Sequence, residues 1–194
     1  MRYKSFRIQN FKGIKDTTIT LQGIGGAGVF AFVGLNESGK TTVLEAIHSF
    51  RPDKATSELL GGDEGVGVPF NERVPRHLIS VFTGDVSVTA VVSATEDDKA
   101  RIARALKSCQ SLDLNIADFP DEIVLQRQQR FERGDFKKNF FSLRTPLKVK
   151  GPKQRRWRDL TSEEHVVLRD LIYYDSPDIA YFPTFVFDFR RRFS

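Results

Sequence analysis

Cysteine is almost missing from this sequence: Cys109 stands alone. No internal disulfide can form, which suits a reducing cytoplasm. No apolar run approaches the length of a membrane span, and Met1-Arg2-Tyr3-Lys4-Ser5-Phe6 lacks the apolar core of a signal peptide. The guanine-reading pattern Asn-Lys-x-Asp is absent, which argues against a GTPase. Neither a recognition helix nor a zinc module is visible, so any nucleic-acid contact is expected to be sequence-tolerant. There is no internal repeat. Acids are scarce between Gln126 and Arg158, where twelve Lys/Arg meet only Glu132 and Asp135. The rest of the chain is net acidic, with 18 Lys/Arg against 23 acids. At 194 residues, 40% hydrophobic and 28% charged, the chain has ordinary globular composition and enough length for a sizeable core.

Against these absences stands one dense motif. Gly34-Leu35-Asn36-Glu37-Ser38-Gly39-Lys40-Thr41-Thr42 fits the P-loop pattern G-x-x-x-x-G-K-[ST]. It follows the apolar run Val29-Phe30-Ala31-Phe32-Val33 and opens into Thr42-Val43-Leu44-Glu45-Ala46-Ile47, which reads as strand, loop and helix. In such a loop, glycines let successive backbone N–H groups face phosphate oxygens, and the helix N-terminus adds positive potential. The nucleotide-binding candidates are Asn36, Glu37, Ser38, Gly39, Lys40, Thr41 and Thr42. Lys40 is the expected partner of the β- and γ-phosphates, and the Thr41 hydroxyl the expected ligand of Mg²⁺. A second glycine pattern, Gly23-Ile24-Gly25-Gly26-Ala27-Gly28, formally matches G-x-G-x-x-G. A strand reading follows it, so no helix N-terminus is available to a pyrophosphate and a flexible connection explains it better.

Elsewhere the periodicities are short-range. Arg2 to Asn10 reads as a strand with Phe6 and Ile8 on one side, and Thr17 to Leu21 as a second. Arg51-Pro52 ends the P-loop helix, and 51–80 reads as a mobile loop. Val86 to Val92 alternates as a strand. Thr95 opens a helix whose apolar face carries Ile102, Ala105, Leu106 and Cys109, making Cys109 a small buried hydrophobe. Ile123–Phe131 and Phe141–Val149 read as two arms of a hairpin around Glu132-Arg133-Gly134-Asp135. In the second arm Phe141, Leu143, Thr145, Leu147 and Val149 share a face. Thr161-Ser162-Glu163-Glu164 is a capping box for a helix to about Tyr173, and Phe182–Phe189 reads as a buried strand.

The basic stretch interleaves its cations with Phe131, Phe136, Phe140, Phe141 and Trp157. Its nucleic-acid candidates are Lys137, Lys138, Arg144, Lys148, Lys150, Lys153, Arg155 and Arg156, with counterion release as the source of affinity. A solvated hairpin with a buried aromatic face, or a docking surface for further chain, accounts for the same composition.

Two features together carry a resemblance. Phe6-Arg7-Ile8-Gln9-Asn10-Phe11-Lys12-Gly13-Ile14-Lys15-Asp16 precedes the loop, and the loop itself is worded G-x-N-x-S-G-K-T before Leu44-Glu45-Ala46-Ile47. Residues 3 to 50 resemble the N-terminal part of ABC-type ATPase heads of the SMC, RecF and RecN group, and most closely OLD-family and related ATPases of prokaryotic DNA repair and anti-phage defence. The resemblance implies an α/β P-loop NTPase lobe, a mixed sheet with antiparallel strands flanking the P-loop strand and helix. It also implies ATP and Mg²⁺ as ligands, Lys12 near the nucleotide, and a second head closing over it. Within a single partial head, 1–50 holds the strand pair, P-loop and helix, 51–80 the loop, 81–160 antiparallel strands, a helix and the basic hairpin, and 161–194 a helix and strand. The signature motif, the switch histidine and a Walker B Asp-Glu pair are not seen. Thr184-Phe185-Val186-Phe187-Asp188-Phe189 has the apolar run and the Asp, but Phe in place of the catalytic Glu. An N-terminal part of a longer ATPase, binding ATP weakly and turning it over negligibly alone, is therefore expected. Gln126, Gln128 and Gln129 are equivalent candidates for a glutamine contact to Mg²⁺. A small self-sufficient P-loop kinase, or a nucleic-acid-binding module with a vestigial P-loop, remain the alternatives.

Overall fold

The computed structural model describes residues 1–21, 30–35, 38–53 and 68–181. The second glycine pattern, the Asn36-Glu37 pair and the 182–194 segment with Asp188 lie outside them. The chain begins with a hairpin of β1 (Arg2–Phe11) and β2 (Ile14–Thr20), reversed at Lys12-Gly13. Helix α1 (Lys40–His48) follows the P-loop. Then come β3 (Gly84–Ser93), α2 (Glu96–Gln110), β4 (Asp113–Leu114), β5 (Glu122–Glu132), β6 (Asp135–Leu143), β7 (Lys148–Lys150), β8 (Arg158–Asp159) and α3 (Ser162–Asp175). A five-stranded sheet has the order β2-β1-β3-β5-β6, and a smaller one the order β4-β7-β8. Every ladder among these strands is antiparallel.

Alternation divides the large sheet into two faces. Phe6, Ala90 and Leu125 lie in register across β1, β3 and β5, and all three are buried. Arg7, Thr89 and Gln126 occupy the next row and face the other way. The apolar face belongs to a core cluster that includes Leu168 and Ile172 of α3 and Ile102 and Leu106 of α2. Both helices start as the sequence demands. Thr95 and Asp98 exchange hydrogen bonds at the head of α2, and Thr161 and Glu164 do so at the head of α3. Arg101 of α2 grips Asp175 at the end of α3 through two contacts of 2.6 and 2.7 Å.

Three expectations need correction. Cys109 is exposed, because the buried stripe of α2 ends at Leu106 and the last turn stands clear. The second arm of the basic hairpin begins at Asp135 and stops at Leu143, so the Leu147 and Val149 positions belong to separate short structure around β7. Their shared face survives the break: Leu143, Thr145, Leu147 and Val149 are all buried. The hairpin of β1 and β2 is also tighter than expected, since pairing reaches Phe11 and Ile14. The apolar run ahead of the P-loop differs in its surroundings. Phe30 to Leu35 joins no ladder among the described residues, with Val33 94% and Leu35 85% exposed. Such a run is suited to the interior of a parallel sheet, where both neighbours are strands. Between 68 and 80 lie two single turns of 3₁₀ helix, Phe70–Glu72 and Arg76–Leu78, with Val68 and Val74 buried beneath.

Candidate nucleotide site

Helix α1 has no side-chain cap, and Gly39 precedes it with φ of 86°. That left-handed conformation is open to glycine and strained for other residues. The first intrahelical bond runs from Val43 N–H to Gly39 O at 3.0 Å. The N–H groups of Lys40, Thr41 and Thr42 therefore lie ahead of the helical ladder, where the helix end is positive. Lys40 folds back over the loop. Its Nζ donates to Gly34 O at 2.8 Å, Leu35 O at 2.6 Å and the Ser38 hydroxyl at 3.2 Å. The backbone is closely wrapped here, since a Cβ on Gly34 would stand 2.8 Å from Ser38 Oγ.

The turn of the first hairpin sits against this helix end. One open groove of about 510 Å³ runs between Gly13–Thr17 and Ser38, Gly39 and Thr42. Another, of about 380 Å³, is lined by Lys12, Gly13, Thr41, Thr42, Glu45 and His77. Lys12 Nζ is 2.7 Å from Glu45 Oε2, and both side chains are mostly buried, at 17% and 20% exposed. The turn itself is anchored by the Lys12 N–H, which donates to Arg73 O at 2.6 Å. Asp16 belongs to Arg7, with contacts of 3.0 and 2.6 Å that hold its carboxyl below the usual range. The structure thus brings Ser38, Gly39, Lys40, Thr41, Thr42 and Lys12 together. Sequence reasoning missed Glu45 and His77. Glu45 was within reach of it, because it lies one turn beyond Thr41 on the same helix face.

The glutamine candidates are engaged elsewhere. Gln126 accepts from Arg144, Gln128 donates to Asp85, and Gln129 donates to Asn139. The basic candidates separate into distinct places. Lys137 and Lys138 lie on edge strand β6, the first 3.6 Å from Asp135 and the second 5.0 Å from the Phe140 ring. Arg144 closes on Gln126 just beyond β6. Lys148 and Lys150 lie on β7, while Lys153, Arg155 and Arg156 lie in the exposed turn before β8. Among the described residues, no helix is long and apolar enough to cross a membrane, and no cluster of three metal-binding side chains occurs.

A family model described as an AAA ATPase domain matches residues 1–185. The chain belongs to this ATPase family. One solved structure similar to this ATPase domain comes from work described as structural biochemistry of ATP-driven dimerization and DNA-stimulated activation of SMC ATPases. It matches at 13% identity and a TM-score of 0.44, covering 90% of this chain and 80% of that one. Comparison with curated proteins finds no match.

Proposed function

We propose that this ATPase domain binds ATP with Mg²⁺ between the first hairpin and the N-terminus of α1, as part of an SMC- or OLD-like ATPase acting on DNA in repair or anti-phage defence. The observation that carries the site is Lys40, whose ammonium is held by two loop carbonyls and a serine hydroxyl ahead of a free helix end. A bound triphosphate would replace those carbonyls as the partner of the ammonium. Ser38, Gly39 and the first α1 amides would hold its oxygens, with Asn36 and Glu37 completing the loop in sequence. Thr41 would present its hydroxyl to Mg²⁺, and the metal would neutralise charge between the β- and γ-phosphates. Lys12, beside Thr41 and Thr42, would add a second cation.

Hydrolysis needs a carboxylate or amide to orient water. The acids lining the two grooves, Asp16 and Glu45, are tied to Arg7 and Lys12, so slow turnover by this chain alone follows. The reading extends to a second head closing over the nucleotide, to DNA bound by the basic stretch, and to a reducing cytoplasm that suits the exposed lone thiol. Calorimetry with Mg-ATP tests the core of it. Saturable binding by the native chain should weaken about 10- to 100-fold in Lys40→Ala, with circular dichroism confirming the fold. No binding by the native chain, or equal binding by the variant, overturns it.

A further inference from the structure

The eight basic candidates are not equivalent, because several cations of the described chain are already answered by carboxylates. Arg130 meets Asp85 at 2.9 Å, Arg158 meets Glu164 at 2.6 Å, and Arg169 meets Asp170 at 2.7 Å. Lys137 stands near Asp135. In the small sheet, Lys148 is in register with Asp159 and Lys150 with Asp113, so both are partly compensated. Lys153, Arg155 and Arg156 differ. Each is exposed and makes no ion pair among the described residues; Lys138 and Arg144 make none either, but Lys138 lies over the Phe140 ring and Arg144 is held by the Gln126 amide oxygen.

Their turn is also built. Gly151 N–H donates to Gln154 Oε1 at 2.9 Å, and Gln154 N–H returns to Gly151 O at 3.0 Å. Arg158 Nε reaches the same Gln154 oxygen at 3.2 Å while its other nitrogens are held by Glu164. One carboxamide thus closes the turn at its start and ties it to β8. The free charges are presented on an ordered support, which lowers the entropy lost on binding. Next to them stands Trp157, 41% exposed, with Lys150 Nζ 4.8 Å from its ring centroid. The ammonium steadies the indole against β7 and leaves much of the ring to solvent.

We propose that the turn between β7 and β8 binds single-stranded nucleic acid, with Lys153, Arg155 and Arg156 on phosphates and Trp157 stacked on a base. This deepens, and rests on, the reading of the chain as acting on DNA. Unpaired cations alone suit any polyanion. An exposed indole set among them favours a strand with open bases, because every unstacked base offers a π-face whereas a duplex hides its bases.

Trp157 is the sole tryptophan, so intrinsic fluorescence reports on the site itself. Titration with a short oligothymidylate should quench it. Labelled-oligomer anisotropy should show the Arg155→Ala/Arg156→Ala variant losing about 1.4 from the slope of log affinity against log salt. Trp157→Ala should weaken binding at least about fivefold, while Lys137→Ala/Lys138→Ala should leave it unchanged. Mg-ATP binding measured on the same preparations confirms that each variant is folded. Binding that depends on Lys137 and Lys138 instead overturns this placement and leaves DNA binding standing. Equal affinity for duplex without quenching, or preference for phosphatidylserine vesicles, overturns the single-strand proposal. No oligomer binding at all overturns both it and the DNA reading.

Discussion

At the scale of single residues, ion pairs decide how the nucleotide groove is charged. Glu45 places a carboxylate beside Thr41 and Thr42, and Lys12 neutralises it at 2.7 Å. Removing one partner leaves the other facing an incoming triphosphate. Glu45→Gln should therefore tighten Mg-ATP two- to fivefold, about what a partly exposed pair is worth. Lys12→Ala should weaken it by a similar factor, and calorimetry on the two variants would show the opposite signs. If both variants bind alike, the pair does not face the phosphates. Far from the groove, Glu164 shows the same economy of charge. Two contacts from Arg158 and the Thr161 backbone N–H lower its pKa from 4.5 to about 2 despite partial burial. A carboxyl lowered in the folded state stabilises above its unfolded value and loses that contribution as pH falls through the folded one. Chemical denaturation should show stability falling between pH 4.5 and about 2. Arg158→Met should flatten that fall in the same denaturation series.

At the scale of elements, the reversal between β5 and β6 illustrates how turn chemistry is written. Arg133 and Gly134 have φ of 52° and 83°, the signs that a two-residue hairpin turn with the strand's own twist requires. A Cβ on Gly134 would lie 1.9 Å from Ile79 O, and the Gly134 N–H donates to Phe82 O at 2.9 Å. Gly134→Ala must break both the turn and the approach of 79–82, costing about 2–4 kcal/mol in denaturant unfolding. Arg133→Gly, which relieves a left-handed side-chain residue without meeting that wall, should stay within about 1 kcal/mol. A loss equal to that of Gly134→Ala would show that the Arg133 side chain, not the close approach at Gly134, holds the turn. This turn was legible in Arg133-Gly134, as were the helix start at Thr95, the capping box at Thr161 and β3, because each depends on neighbours in sequence. The extent of β6 was not, since Lys137 to Asn139 are polar on both faces of an edge strand and carry no alternation. Cys109 was misplaced for a related reason: periodicity marks a face but not where the packing partner ends. For the candidate nucleotide site, the loop and Lys40 were visible as a motif. The Lys12–Glu45 pair needed the hairpin turn brought against α1, a contact 33 residues apart in sequence.

At the scale of the whole molecule, the question is what the nucleotide loop is mounted on. The far end of α1 runs into Phe50, fully buried, whose ring meets Tyr3, Phe6, Phe141 and Tyr173 at centroid separations of 5.8 to 6.4 Å. Phe50 O accepts from Arg127 Nε at 2.6 Å, and that guanidinium stacks over Phe141 and Tyr173. Arg51 then binds Asp178 at 2.7 Å and the carbonyls of Tyr173 and Tyr174. Beyond it, Ile179 pairs with the chain at Pro52. One helix therefore carries the P-loop motif at one end and joins β1, β5, β6 and α3 at the other. If the mounting is this continuous, loosening it should unfold everything together. Phe50→Leu removes ring contacts at nearly constant burial and should cost about 1–3 kcal/mol. Trp157 stands in the turn that joins two strands of the small sheet, remote in sequence from Phe50, and its fluorescence should shift to lower denaturant together with far-ultraviolet dichroism, with the slope unchanged. Separation of the two transitions would mean that α1 and the small sheet unfold independently. Saturating Mg-ATP should move both transitions upward by the same increment, because a ligand held only by the native state stabilises the whole cooperative unit.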